Sequence, residues 1–407
     1  MEETNKIKYI EAHKSSEVKE VLHPLIREWF FGKYADFSLT QLYGVKNIND
    51  RKNILVSAPT GGTKTLTAFL GILNYIVGLA LKDELEDKMY AVYLSPLKAL
   101  SSDISINLIQ PLAEIRELAE KKGMKMQDIR VALRTGDTDV KERAKQAKKC
   151  AHIYVSTPES LAIVLTTTKF VESLRALEFI IVDEIHALAN KRGVYLSLTL
   201  ERLNHYSLIE PVRIGLSATI SPLEEIAKFL VGNRDCLIAS VKLNKKIEIN
   251  LDFPGENILE AENQENQKKL YKLLDELIEK NRTTLIFTNT RAATERIIHF
   301  LDMHFPGKYT GLIGAHHSSM SKETRFEIED RLRKGELKVV VSSTSLELGI
   351  DIGSIDLVIM IRSPKSVARA LQRCLTYDSK VLCGDGMYRE IGEIVEKKID
   401  VNIISYE

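Results

Sequence analysis

Apolar positions in this chain come in short continuous runs. NILVSA at residues 53–58, YAVYLS at 90–95, IRVALR at 129–134, HIYVST at 152–157, FIIVDE at 179–184 and RIGLSA at 213–218 are rich in β-branched residues and end in small or polar ones. Amphipathic helical stretches lie between them. An apolar run without alternation predicts a strand buried on both faces, and helices between such strands predict a parallel sheet covered on both sides. A second series repeats the pattern: TTLIFTN at 283–289, YTGLIGAHH at 309–317, LKVVVSS at 337–343 and IDLVIMI at 355–361. The polar stretch GENILEAENQENQKK at 255–269 opens a helix between the two series. The chain therefore reads as two α/β domains in tandem, meeting near residues 240–260, with no evident repeat or low-complexity tract.

Composition narrows the classes. The 407 residues have room for two or three domains, each with its own core. With 44% hydrophobic residues, 28% charged residues and a formal net charge of +1, the chain carries no acidic or basic tail, so a nucleic-acid partner would have to meet a local basic surface. Cys150, Cys236, Cys374 and Cys383 form neither a C-x-x-C pair nor a His/Cys cluster, which argues against a zinc site and a disulfide framework and for a reducing compartment. The N-terminus is polar and charged from MEET onward, unlike a signal peptide, and no apolar run is expected to reach the roughly 18 residues of a membrane span. The expectation is a cytoplasmic protein with no membrane partner.

Two stretches carry chemistry. The run NILVSA leads into Ala58-Pro59-Thr60-Gly61-Gly62-Thr63-Lys64-Thr65 and then into a helical apolar segment. In a strand-loop-helix phosphate site, backbone N–H groups and the helix N-terminus face the phosphates, a lysine reaches the β and γ oxygens, and a hydroxyl holds the metal. Lys64 and Thr65 fit those roles; the competing reading is a glycine-rich turn with an incidental Lys-Thr. In FIIVDEIHAL, Asp183 and Glu184 leave the end of an apolar run together. One carboxylate at such a strand end can hold Mg2+ while its neighbour orients or deprotonates the attacking water. A solvated acidic turn would leave His186 and the phosphate loop unexplained.

In order along the chain, APTGGTKT, SPLKAL, TPESL, DEIH, SAT, IFTNTR and STSLELGIDIG resemble motifs I, Ia, Ib, II, III, IV and V of the superfamily-two helicases. HPLIREWFFGKY, DEIHALANKRGVYLSLTLERL and IGAHHSSMSKETR resemble, within that superfamily, the large helicase-related (Lhr) family of prokaryotic DNA helicases. The resemblance covers roughly residues 20–373. It implies two tandem RecA-like parallel-sheet domains, at residues 1–245 and 246–373, and an ATPase that uses ATP with Mg2+ to move 3′ to 5′ along single-stranded or partly duplex nucleic acid, DNA by preference. RNA helicases share every motif quoted. By the same resemblance Gln41 reads adenine; Thr60, Gly61, Gly62, Thr63, Lys64 and Thr65 hold the phosphates; Thr65 and Asp183 hold Mg2+; and Glu184, Asp183 and Lys64 are catalytic. Gly349 and Asp351 face the nucleotide from the second domain. His186, Ser217, Ala218 and Thr219, with Gln372 and Arg373, couple nucleotide state to strand movement. Ser95, Pro96, Lys98, Thr157, Pro158, Thr288, Arg291 and Thr344 contact the strand backbone, a mode that positions a strand without reading its bases. His316 and His317 suggest a metal at first sight, but neighbouring strand residues point to opposite faces.

Two departures from the family pattern follow. The glycine expected before Lys64 is Thr63, a β-branched residue where positive φ is expected, with strain of about 1 to 3 kcal/mol. Falling wholly on the nucleotide complex, it would weaken ATP about 5- to more than 100-fold. The final motif resembles Q-R-x-G-R-x-G-[RH], whose later arginines reach the γ-phosphate. Here Gln372-Arg373 begin it, and then CLTYDSKVLCGDGMYREIGEIVEK resembles the N-terminal splicing block of an intein. Residues 374–407 are accordingly expected to be a short β-type N-terminal intein fragment, with Cys374 as the nucleophile at the Arg373–Cys374 bond. The later splicing histidines and terminal asparagine do not occur, so the expectation is a truncated precursor or one half of a split intein. Three functions compete: a nucleic-acid-dependent ATPase core active once the last motif is restored, a non-hydrolysing clamp, and a splicing substrate.

Overall fold

Continuous apolar strands need two covered faces, and the chain builds such a sheet twice. The computed structural model describes residues 6–58, 63–95, 104–135, 138–188, 191–218, 222–241, 264–317, 319–343, 355–361, 380–382 and 388–390. The chain divides into two compact units, Met1–Lys242 and Leu243–Glu407.

The first unit holds eight strands: β1 (Ile7–Tyr9), β2 (Ile54–Ser57), β3 (Ala91–Leu94), β4 (Val131–Arg134), β5 (Ile153–Ser156), β6 (Phe179–Val182), β7 (Val212–Ser217) and β8 (Cys236–Ser240). They form one sheet in the order β1-β8-β2-β7-β6-β3-β5-β4, with every pairing parallel. Alternate residues feed two cores. Ile54 and Val56, Tyr93, and Phe179 and Ile181 pack on one face, while Leu55, Val92 and Leu94, and Ile180 and Val182 pack on the other. All six runs of the first series are strands. β1 and β8 were not among the predicted runs: β1 is a short, partly exposed edge strand, and β8 is a five-residue strand, CLIAS, ending in small residues.

Three helices precede β2 in the chain, α1 (Ser15–Val21), α2 (Pro24–Lys33) and α3 (Leu39–Asn49), and α4 (Lys64–Leu81) follows it. By length and composition α4 is apolar enough to cross a membrane, contrary to the expectation that no run reaches that length. Of its residues, 67% are buried inside the protein, so its hydrophobicity is that of a core helix. α3 and α4 cross closely. A Cβ on Gly44 would lie 2.5 Å from Thr67 Cγ2, and one on Gly71 would lie 2.7 Å from Ile48 Cγ2.

In the second unit β9 (Thr284–Phe287), β10 (Ile313–His316), β11 (Val339–Ser342) and β12 (Leu357–Met360) form a parallel sheet in the order β10-β11-β9-β12. All four correspond to runs of the second series. Ile286, Val339 and Val341 face one core, and Leu285, Phe287 and Val340 the other. Near the C-terminus β13 (Lys380–Leu382) and β14 (Tyr388–Glu390) form a separate antiparallel pair, with Val381 opposite Arg389.

Candidate nucleotide site

The site forms where the first sheet's strands end, as ligand crevices of open parallel sheets do. β2 leads to the phosphate loop, β6 to Asp183 and Glu184, and β7 to Ser217 and Ala218. Two hydrogen bonds join the first and third of these ends: Ala58 N–H donates to Ser217 O at 3.1 Å, and the Ser57 hydroxyl to Ala218 O at 3.2 Å. Lys64 opens α4, is 7% exposed, and donates from Nζ to Ala58 O at 2.9 Å. Thr65 follows it in the first turn, partly buried. Thr60, Gly61, Gly62 and Thr219 lie outside the described residues.

Thr63 sits at the N-cap of α4 with φ 51° and ψ 20°, the left-handed geometry expected of the residue before Lys64. Its hydroxyl is 2.5 Å from Ser38 Oγ and 2.7 Å from Thr40 Oγ1, and those two are 2.9 Å apart. A left-handed residue costs about 1 to 2 kcal/mol, and two hydroxyl hydrogen bonds return about 1 to 3 kcal/mol. The strain is thus met inside the protein, which removes the reason to expect a large loss of ATP affinity. Ser38 also N-caps α3 in a capping box, where Gln41 N–H donates to Ser38 Oγ at 3.4 Å and Ser38 N–H donates to Gln41 Oε1 at 2.8 Å. This fixes the orientation of the buried Gln41 amide.

The acidic pair is buried, each residue 7% exposed. Asp183 N–H donates to Leu94 O at 2.7 Å, Glu184 N–H donates to Asp183 Oδ1 at 2.8 Å, and the Tyr93 hydroxyl donates to Asp183 Oδ2. Burial, with Glu184 beside it, pushes the Asp183 carboxyl up to about 6. Burial acts on Glu184 in the same sense, but the His186 ring and the Lys64 ammonium outweigh it and hold that carboxyl below its ordinary value. Glu184 itself is left-handed at φ 47°, so its side chain leaves the line of β6. Its buried Oε2 has no hydrogen-bond partner among the described residues, although His186 Nε2 lies 3.1 Å away. His186 Nδ1 accepts from Ala218 N–H at 3.1 Å and lies 3.3 Å from Ser217 Oγ. Because a backbone N–H can only donate, the neutral ring carries its proton on Nε2, toward Glu184. Lys64, Asp183, Glu184, His186, Ser217 and Ala218 thus meet in one network.

Mg2+ prefers oxygen donors and takes one or two carboxylates, with phosphates and water completing its shell. The Thr65 hydroxyl and the buried Asp183 carboxylate are such donors, and the raised Asp183 pKa marks a charge in want of a counter-charge. The residues fit the ion.

Of the residues expected to meet a strand, Ser95 and Thr157 stand at neighbouring strand ends, where Ser95 N–H donates to Ser156 O at 3.2 Å. Thr157 caps the helix Pro158–Val164, its hydroxyl oxygen accepting from Ser160 N–H at 3.3 Å, and Pro158 is buried at its first position. In the second unit the Thr288 hydroxyl is spent internally, 2.8 Å from Thr294 Oγ1 and 3.1 Å from Thr290 O, whereas Arg291 is exposed at the start of its helix. His316 Nε2 lies 2.9 Å from Glu329 and His317 Nε2 lies 2.7 Å from Glu295. Those carboxylates sit on helices whose apolar residues belong to different cores, so the rings diverge as strand geometry requires. Pro96, Lys98, Thr344, Gly349, Asp351, Gln372, Arg373 and Cys374 lie outside the described residues. Sequence reasoning missed Tyr93, Ser38 and Thr40. Only Ser38 left a signal, the Ser-x-x-Gln of a capping box.

Comparison with known proteins agrees with this geometry. Residues 38–227 match the DEAD/DEAH box helicase family, and residues 265–374 match the helicase conserved C-terminal domain. The chain is 50% identical over 372 residues to the ATP-dependent helicase Lhr-Core of Methanocaldococcus jannaschii, covering 90% of this chain and 43% of that protein. It is 52% identical over 368 residues to the Lhr-Core of Methanothermobacter thermautotrophicus, covering 89% and 42%. The chain thus spans less than half the length of these relatives. Among solved structures, Mycobacterium smegmatis helicase Lhr bound to ssDNA and AMP-PNP superposes with a TM-score of 0.75 at 37% identity, over 86% of this chain and 45% of that one. The DEAD-box helicase Mss116, bound to ssRNA and UDP-BeF, shares the fold at 18% identity with a TM-score of 0.73, over 91% of this chain and 74% of that one. With two RecA-like units, and the helicase family models matched in order along them, the chain belongs to the superfamily-two helicases, in their Lhr family.

Proposed function

We propose that the chain is the motor core of an ATP-dependent DNA helicase that moves 3′ to 5′ on single strands and parts duplexes ahead of it. The observation that carries this reading is the buried network at the strand ends: Lys64 Nζ donates to Ala58 O, Ala58 N–H donates to Ser217 O, and His186 lies between Ala218 N–H and Glu184 Oε2. It links the first residue of α4 to the end of β7 and to the acidic pair. In this reading Gln41 takes the adenine edge, and the α4 N-terminus with Lys64 takes the phosphates. Mg2+, held by Thr65 and Asp183, would neutralise charge on the β and γ oxygens. Glu184, whose Oε2 lies 3.1 Å from His186 Nε2, accepts the proton of the water that attacks the γ-phosphorus, and ADP leaves. His186 then answers to the changed charge on Glu184 and passes the change to Ser217 and Ala218. The single-stranded DNA in the M. smegmatis complex supports DNA as the strand.

We read residues 374–407 as the start of a protein-splicing element interrupting the last motif. The helicase family match ends at residue 374, and the described residues beyond it pair antiparallel, unlike every pairing in the two parallel sheets. The motor reading is tested by strand-stimulated ATP turnover in a chain with the last motif restored. Glu184→Gln should lower turnover about 10²- to 10⁴-fold while nucleotide binding persists, and Lys64→Ala should weaken binding itself. Turnover of Glu184→Gln within a few fold of the parent would remove Glu184 from the chemistry.

A further inference from the structure

A threonine in left-handed geometry is an unusual choice where glycine would be free of strain. The Thr63 hydroxyl closes a triangle with Ser38 Oγ and Thr40 Oγ1 at 2.5, 2.7 and 2.9 Å. Glycine at this position could make neither contact. Ser38 is also the residue whose N–H holds Gln41 Oε1. A carbonyl oxygen has a second lone pair, which can accept from the exocyclic amine of adenine while the Gln41 amide nitrogen donates to N7. Guanine would set its O6 acceptor against the same oxygen. On the other side, Thr63 adjoins Lys64 and Thr65, and its carbonyl accepts from both Thr67 N–H and the Thr67 hydroxyl at 2.9 Å. Thr67 in turn fills the notch at Gly44 of α3. Base edge, Gln41, Ser38, Thr63 and Lys64 therefore form one path of hydrogen bonds and adjacent residues.

The geometry points to Thr63 as a specificity-determining residue that ties base recognition at Gln41 to phosphate binding at Lys64 and Thr65, so that a wrong base loosens the grip on the phosphates. This rests on the nucleotide-site reading above. With glycine at position 63, the hydroxyl link between the two halves of the site is lost, and among the described residues the packing of α3 against α4 still connects them.

The test measures equilibrium binding of ATP, GTP and inorganic tripolyphosphate, each with Mg2+, to the full chain by calorimetry. Loss of about one hydrogen bond from the path should cut the preference of Thr63→Gly for ATP over GTP about 5- to 10-fold. Tripolyphosphate, which has no base, reads the phosphate grip alone, so the ATP-to-GTP ratio is compared after any change it shows, and its continued binding by that variant reports that the loop is folded. Thr63→Ser, which keeps the hydroxyl, should keep the preference. Ser38→Ala should lower the preference in the Thr63 background and lower it by less in Thr63→Gly, where only the cap of α3 is lost. An unchanged preference in Thr63→Gly, or additive effects of the two substitutions, would overturn the coupling while leaving the nucleotide site standing. Failure of the unaltered chain to bind either ATP or tripolyphosphate would instead remove the site reading, and this inference with it.

Discussion

The crossing of α3 and α4 sets the spacing between Gln41 and Lys64, and Gly44→Ala probes it. An added Cβ would meet Thr67 Cγ2 at 2.5 Å, about 1 Å inside ordinary contact. Thr67 cannot simply turn away. It is fully buried, its hydroxyl is held by Thr63 O at 2.9 Å, and β-branching leaves it few rotamers in a helix. The helices must therefore part, at an overpacking cost of about 1 to 3 kcal/mol. Against this, alanine in a helix interior gains about 1 kcal/mol over glycine. The net loss of about 0 to 2 kcal/mol should lower the thermal midpoint of the first unit by up to about 8 °C and weaken ATP binding, because Gln41 rides on α3. Thr67→Ser removes the offending methyl and keeps the hydroxyl. The Gly44→Ala, Thr67→Ser pair should then match or exceed the parent, since the new methyl fills the space that the old one leaves. Circular dichroism melts of the four chains decide the matter. A double variant no more stable than the single would show that the helices are not in tight contact.

Two further outcomes are expected. His152 is 2% exposed, and burial lowers its pKa to about 4, while its Nδ1 accepts from Arg130 N–H at 3.1 Å. The unfolded chain takes up this proton near pH 6.5 and the folded chain does not, so stability should fall as pH drops from about 6.5 through 4. His152→Gln should flatten that dependence by about 1 kcal/mol between pH 7 and pH 5, after a discount for solvent screening; equal slopes in urea titrations would refute it. For the splicing reading, the chain alone should keep its intact mass in thiol, whereas supplying the remainder of a splicing domain in trans should let thiol release a product ending at Arg373. Cys374→Ala should abolish that release and Cys383→Ala should not; cleavage that persists without Cys374 would return the segment to an unexplained extension.

The strands were legible because their burial is two-sided. Ile54 to Ser57 or Val339 to Ser342 expose no polar face, so the run itself announces the element. β1 was not, because an edge strand with one partner needs no such run. The site divides in the same way. Lys64, Asp183 and Glu184 could be found from local order along the chain, as a loop between strand and helix and as carboxylates at a strand end. Tyr93 could not, because its contact with Asp183 depends on β3 lying beside β6, and nothing local states the order β7-β6-β3. The link from His186 to Ala218 needs β6 beside β7 for the same reason.

Thr63 shows what local reasoning can price and what it cannot. The sequence is enough to place a β-branched residue at a left-handed position, and the structure puts φ there at 51°. Taken alone, that geometry costs about 1 to 2 kcal/mol and reads as damage to a phosphate loop. The compensating groups lie 23 and 25 residues earlier, on the turn that begins α3, and only the packing of α3 on α4 brings them within 2.7 and 2.5 Å. Because the offset is of the same size as the strain, energy alone gives no reason for threonine to displace glycine. What glycine cannot supply is the connection between the two turns. The choice of residue is thus understood through what it joins, and the ratio of ATP to GTP affinity reports on it more directly than the affinity for ATP.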